Sequence, residues 1–322
     1  MLVTRLAAAL VLATLAWAPA AFSQAWPTQP LKIVVGFPPG GVADAIPRYL
    51  QNALSQALGQ SIIVENKPGG AGIIAMSAIA QATDGHTVGI MTLQNQIVPA
   101  TGASLPYNAR KDLQGLILFG QTASVLTVHT SLPIKSVPEL IAYAKQNPGK
   151  LAFATSGNAT GQHFATESLK LGAEIDILHV PYKGVAPAYV DVLAGRVPVM
   201  FMTYGSGKQH WETGKVLPLA VSTPKRFPLM PELPTMAEAS GIADFSLIEW
   251  FALVAPSSMP RQAMERIHNA LATIMSTPEH AQFSTKYGLV YEPMTIDQTH
   301  AFLMNQLDRM TTIAKRANIK LE

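Results

Sequence analysis

Two short stretches concentrate the groups that could hold an anion. The first is "GFPPGGVAD" (36–44), where a β-branched run meets two prolines, two glycines and an acid. Pro38-Pro39 stops the strand, and Gly40-Gly41 frees the backbone to turn and expose its N–H groups. A helix opening near Asp44 would aim its unpaired N–H groups at that loop, which makes an anion site. The second is "SGNATGQH" (156–163). There Ser156, Gly157, Asn158 and Thr160 crowd hydroxyls, an amide and backbone donors together, and His163 follows on the next helix. Tight turns with helix caps are the plain structural alternative at both places.

Other chemistries fit less well. "GGAGIIA" (69–75) satisfies G-x-G-x-x-A, but no acid lies between Asp84 and Asp112 to take a ribose hydroxyl. It reads as a helix-entry turn. A P-loop is missing, and "YGSGK" lacks the spacing of a nucleophile elbow. Ser156 and His163 could form a nucleophile–base pair, although no orienting acid is marked. The eight histidines include no H-x-H or HExxH, and there is no cysteine, so no metal site or cofactor is expected.

These loops need a scaffold, and the chain alternates short strands with helices. Strands are expected at 31–37, 61–66, 86–92, 151–156, 176–182, 197–203 and 216–223, with an extended run at 245–257. Helices are expected at 45–59, 72–83, 136–149, 161–172 and 186–195, then over 260–277, 278–287 and 295–317. This order predicts an α/β protein with parallel βαβ units, about nine strands in two modest sheets. Open sheets of this kind bind ligands at the carboxyl ends of their strands, where both loops fall. Met76, Met91, Met200 and Met202 read as core, Met202 least clearly because it ends a strand.

Composition narrows the class. Met1 to Ala21 carries one cation and a long apolar run, and Ala21-Phe22-Ser23 fits a signal-peptidase site, so residues 1–23 read as a signal peptide cleaved before Gln24. Removing Arg5 lowers the formal charge from +3 to +2. Charged residues are 13% of the chain and form no long basic run, which argues against nucleic acid. An exported chain without cysteine must be held by its core, and 322 residues suffice for one large or two ordinary domains.

The mature chain resembles the Bug-type periplasmic receptors of tripartite tricarboxylate transporters, the TctC family. The segments that carry the likeness keep family order. They include "WPTQPLKIVVGFPPGGVAD", "LGQSIIVENKPGGAG", "LPYNARKDL", "SLPIKSVPELIAYAKQNPGKLAFATSGNATGQH", "HVPYKGVAPAYVDVLAGRV", "WFALVAPSSMP" and "ANIKLE". The resemblance implies a two-lobed, type II-like periplasmic-binding-protein fold, each lobe a mostly parallel sheet flanked by helices, with a ligand in the cleft. Lobe I is expected over 24–125 plus 250–322 and lobe II over 126–249. It implies a non-enzymatic, monomeric periplasmic receptor that passes a small carboxylate to a membrane permease. A sensor without a permease is the alternative, and an exported Ser/His acyl hydrolase is the third reading.

On this resemblance the ligand meets Phe37, Gly40, Gly41, Val42, Ala43 and Asp44 from the first loop. Ser156, Gly157, Asn158, Thr160 and His163 face them. Gln94 joins from "MTLQNQ", and Tyr182, Lys183, Met202 and Thr203 form the wall of the second lobe. Two departures bear on specificity. Ala43 stands where the family often has Ser or Thr, and Met202-Thr203 where it often has Asp-Asn. An acid for a ligand amine or hydroxyl is therefore missing at that position, which favours a carboxylate with an apolar or aromatic body. Ile73-Ile74 replaces the usual Gly-Asn and is expected to concern packing.

Overall fold

The computed structural model describes residues 26–320. The expected signal peptide and its cleavage point lie outside them. The chain opens with strand β1 (Leu31–Val35), then helix α1 (Val42–Leu58), strand β2 (Ile62–Asn66), helix α2 (Ile73–Ala80) and strand β3 (Thr87–Thr92). Helix α1 shows how pattern becomes packing. Ile46, Leu50, Leu54 and Leu58 recur every four residues, so they share one face and bury it on Ile33 and Val35. Each such side chain stabilises by about 1.5–3 kcal/mol. Gly59 ends the helix in the left-handed region, where its N–H closes on the Ser55 carbonyl.

Helix α3 (Leu93–Ala100) follows β3 at once, and strand β4 (Leu113–His129) is 17 residues long. Next come α4 (Val137–Gln146), β5 (Ala152–Thr155), α5 (Gly161–Ala173), β6 (Leu178–Pro181), α6 (Val185–Leu193), β7 (Val199–Thr203), α7 (Tyr204–Trp211), β8 (Val216–Val221) and α8 (Met236–Ser240). Strand β9 (Ile248–Pro256) returns, and α9 (Arg261–Met275), α10 (Pro278–Tyr287) and α11 (Ile296–Ala317) complete the described chain.

The expected pair of sheets exists, but the two are joined through β4. The strand order is β2-β1-β3-β9-β4-β7-β5-β6, with β8 also on β4. From Leu113 to Ala123, β4 pairs with β9; from Ser124 onward it pairs with β7 and β8. The outer pairs β1–β2, β1–β3, β5–β6 and β5–β7 are parallel, whereas β9 and β4 run antiparallel to their neighbours. The result is a two-lobed α/β fold whose two sheets share the long strand β4. Helix α9 packs on α1, and α11 runs along β4 to touch both α3 and α5.

"GGAGIIA" is a tight turn into α2, in which Ile73 packs on the core while Ile74 is exposed, so the packing expected of both holds for Ile73 alone. Gly72, at φ 91°, has no room for a side chain, because a Cβ would stand 2.0 Å from Asn95 Nδ2. Among the described residues no helix is long and apolar enough to cross a membrane.

Candidate functional site

The first loop is shaped by one carboxylate. Asp44 is almost fully buried in the first turn of α1. It accepts hydrogen bonds from Arg48 Nε (3.0 Å), Asn66 Nδ2 (2.8 Å) and the Gly40 N–H (3.0 Å). Asn66 also donates to the Phe37 carbonyl at 3.0 Å, which ties the far end of the loop to β2. The Arg48 hydrogen bond leads in lowering the Asp44 pKa to about 2, against the opposing effect of burial. Asp44 therefore sets the loop's shape, and the Gly40 N–H is spent inside it. Asp44 and Ala45 donate back to the Gly41 carbonyl, so the helix's open donors are those just before them, from Val42 on. Ala43 is buried in the core.

The second loop is held by neutral groups. Gln162 Oε1 accepts from the Ser156 N–H at 2.8 Å. Thr160 caps α5 by accepting from the His163 N–H, and its hydroxyl donates to the Gly157 carbonyl. His163 Nδ1 takes the Ala159 N–H at 3.2 Å, while Nε2 faces Glu167 at 3.9 Å. The ring stacks on His179 at 4.0 Å between centroids, and His179 stacks on Phe153. Burial leads in lowering the His163 pKa to about 4, and burial lowers that of His179 to about 4 as well. Both imidazoles are neutral at ordinary pH. His163 is thus turned to its own loop and helix, so the nucleophile–base pairing allowed by the sequence is not formed with Ser156.

The second loop and the start of α5 meet α3 and β9. Gln94, at the start of α3, donates from Nε2 to the Ala159 carbonyl at 3.0 Å. Gly161, the first residue of α5, sits so close to β9 that a Cβ there would stand 2.4 Å from Glu249 Oε1. Between the lobes lies a cavity of about 340 Å³. Val42 from the first loop and Thr203 from the end of β7 line it. Thr122 comes from β4, Glu249 and Phe251 from β9, and Lys286 with Tyr287 from α10.

The remaining candidates lie elsewhere. Met202 is fully buried beside Ala154 and Tyr189, because alternation along β7 sends Thr203 to the cavity and Met202 to the core. The Tyr182 hydroxyl donates to Asp191 at 2.6 Å, and burial leads in pushing its pKa up to about 12. Lys183 and Asn158 are exposed.

Glu249 was missed by sequence reasoning. Its signal was an acid inside the apolar run "FSLIEWFALVAP". It supplies to the same cavity the carboxyl group that Met202-Thr203 lacks. Burial alone raises its pKa to about 7. A larger pocket of about 460 Å³ opens between α5 and α11, but its Arg309 is committed to the carbonyls of Ser246 (2.7 Å) and Asp244.

A family model described as tripartite tricarboxylate transporter family receptor matches residues 46–319. The chain belongs to this family. A "UPF0065 protein" from Pseudomonas sp. (strain P51) is 35% identical over 266 residues, which cover 82% of this chain and 79% of that one. BugT of Bordetella pertussis is 31% identical, over 92% of each chain. Among solved structures, R. palustris Rpa4515 with adipate is 30% identical with a TM-score of 0.75, over 92% of this chain and 99% of that chain. Family membership agrees with the Bug-type resemblance of the sequence. It makes this chain, at the level of the family, a solute-binding receptor and not an enzyme.

Proposed function

We propose that this protein is a periplasmic receptor that closes on a small organic carboxylate and delivers it to a tripartite tricarboxylate-type permease. The observation that carries the reading is the interlobe cavity, lined by the opening turn of α1 and neighboured by that of α5. Two helix N-termini favour an anion by about 0.3–1 kcal/mol each when exposed and up to about 2 when partly buried. Charge-assisted hydrogen bonds add about 1.5–3 kcal/mol each. Several such contacts suffice for a micromolar complex, about 8 kcal/mol. The adipate complex of the R. palustris relative supports a carboxylate as the ligand class.

The candidate ligand shell is the two loops, with Gln94 and Thr203 between them. Lobe I would comprise 24–125 plus 250–322, and lobe II 126–249. The change of ladder partners between Ala123 and Ser124 supports that division. One long strand, β4, shared by both sheets suits a hinge, because a few residues at the crossing can absorb the rotation. The receptor would act as a monomer in the periplasm after loss of its signal peptide.

Isothermal titration against a panel of mono-, di- and tricarboxylates tests the reading. At least one should bind at micromolar concentration. Absence of binding across the panel at millimolar concentration overturns it. Ligand-dependent uptake in membrane vesicles carrying the permease separates a transport receptor from a sensor.

A further inference from the structure

Glu249 is an unusual wall for an anion receptor. It projects from β9 beside the cavity, directly opposite Thr122 of β4 in the ladder. Thr122 is 6% exposed, and its hydroxyl has no hydrogen-bond partner among the described residues. A buried hydroxyl left unpaired costs about 1–3 kcal/mol, which a hydrogen-bonding group brought against it would recover. The Glu249 carboxyl lies against Gly161 at the start of α5, and burial is the one influence on its pKa.

We propose that Glu249 and Thr122 form the far end of the ligand cavity and hold the second carboxyl group of a dicarboxylate, with one proton shared between that group and Glu249. This rests on the receptor reading above and adds the ligand's second end. Two carboxylates cannot lie in contact while both are ionised, and a single proton turns their repulsion into a short, charge-assisted hydrogen bond. The rest of the cavity favours an anion there over an amine. The opening turn of α1 lines it at Val42, and Lys286 stands at its rim.

The proton is taken from solvent when the ligand binds to ionised Glu249. Burial places its pKa at about 7, so the uptake falls in the neutral range. The other titratable groups around the cavity stay fixed there. Asp44 on α1 is ionised, with its pKa near 2, and His163 on α5 is neutral, with its pKa near 4. From α10, Lys286 and Tyr287 also face the cavity.

The test is calorimetric titration of the mature protein with succinate, glutarate and adipate, and with butyrate, pentanoate and hexanoate as matched monocarboxylates. For the best dicarboxylate, affinity should tighten about tenfold from pH 8 to pH 6, the change expected when one group of pKa 7 must be protonated. Titrations at pH 8 in two buffers of different ionisation enthalpy should show close to one proton taken up. Glu249→Gln keeps a donor of the same shape, so binding should persist while the pH dependence disappears. Thr122→Val should weaken dicarboxylates several-fold and leave monocarboxylates unchanged. A dicarboxylate affinity independent of pH, or the same pH slope in Glu249→Gln, overturns the proposal. So does an amino acid that binds more tightly as pH rises. If monocarboxylates bind without any preference for the dicarboxylate, this inference fails and the receptor reading stands. If neither series binds at any pH, both fail.

Discussion

The two strand-to-helix loops, 36–44 and 156–163, do the same geometric task with opposite electrostatics. The first is organised around an ion. Asp44 gathers Arg48, Asn66 and the Gly40 N–H, and its charge is what all three bind. The second is organised around neutral groups: Gln162, Thr160 and a stacked pair of uncharged imidazoles. The difference reflects what each backbone offers. In the first loop prolines remove donors and glycines remove side chains, so one strong acceptor must hold the turn. In the second, each short polar residue can satisfy its neighbour, and no full charge is required.

Acid should separate them, and this is the largest expected effect. His163 and His179 have folded pKa values near 4 against 6.5 for the free side chain. The unfolded chain therefore binds more protons between these values, and stability falls as pH drops from 6.5 to 4. For His163 alone the loss approaches about 3 kcal/mol, and the coupling of the two rings prevents simple addition. Asp44 works at lower pH. Its folded pKa near 2 lies below 3.8, so its contribution is complete above 3.8 and lost as pH falls toward 2. Amide hydrogen exchange should show 155–163 losing protection between pH 6 and 4, while 37–44 keeps it. Simultaneous loss of both loops would break the contrast.

Mutation should reverse the order at neutral pH. Asp44→Ala removes three hydrogen bonds to a charged group and should cost about 2–3 kcal/mol in urea unfolding. His163→Gln retains an acceptor for the Ala159 N–H and should cost less, about 1 kcal/mol. Gly161→Ala tests how closely the lobes meet. Its methyl group would drive Glu249 aside, and overpacking of this kind costs about 1–3 kcal/mol. Ligand affinity should drop about tenfold or more, read by calorimetry. Unchanged affinity would mean that the start of α5 is not at the site.

Sequence legibility followed the same physics. Helix α1 was readable because its apolar residues keep one period and Gly59 closes it. The long β4 was not recognised as one strand. Its glycines and polar residues interrupt the pattern, and the ladder shifts register at Gly115–Ile117 and Leu118–Gly120. Helix α3 was hidden because its apolar spacing is short and Pro99 lies inside it, yet Thr92 and Asn95 cap it reciprocally. Both junction loops could be found from local composition. The pairing of Glu249 with Thr122 could not, since they meet only through antiparallel pairing across more than a hundred residues. Met202 was placed in the site by its position at the strand's end, where only register decides which of two neighbours faces the cavity.

The smallest expected effect tests the link between the loops. Gln94 of helix α3 donates to the Ala159 carbonyl of the second loop. It touches no group of the Asp44 cluster or of the histidine stack, so its loss should leave both loops folded. Gln94→Ala should lower stability by no more than about 0.5–1.5 kcal/mol, the net worth of one neutral hydrogen bond. If the bond forms only as the cleft closes, the same energy appears in ligand binding instead, as a threefold to tenfold loss of affinity with unfolding unchanged. The two outcomes distinguish a permanent strut from a closing latch. A double variant with Asp44→Ala sharpens the test. Additive effects within about 0.3–0.5 kcal/mol would mean that the loops act independently. A larger coupling would mean that the charged loop positions the neutral one through Gln94.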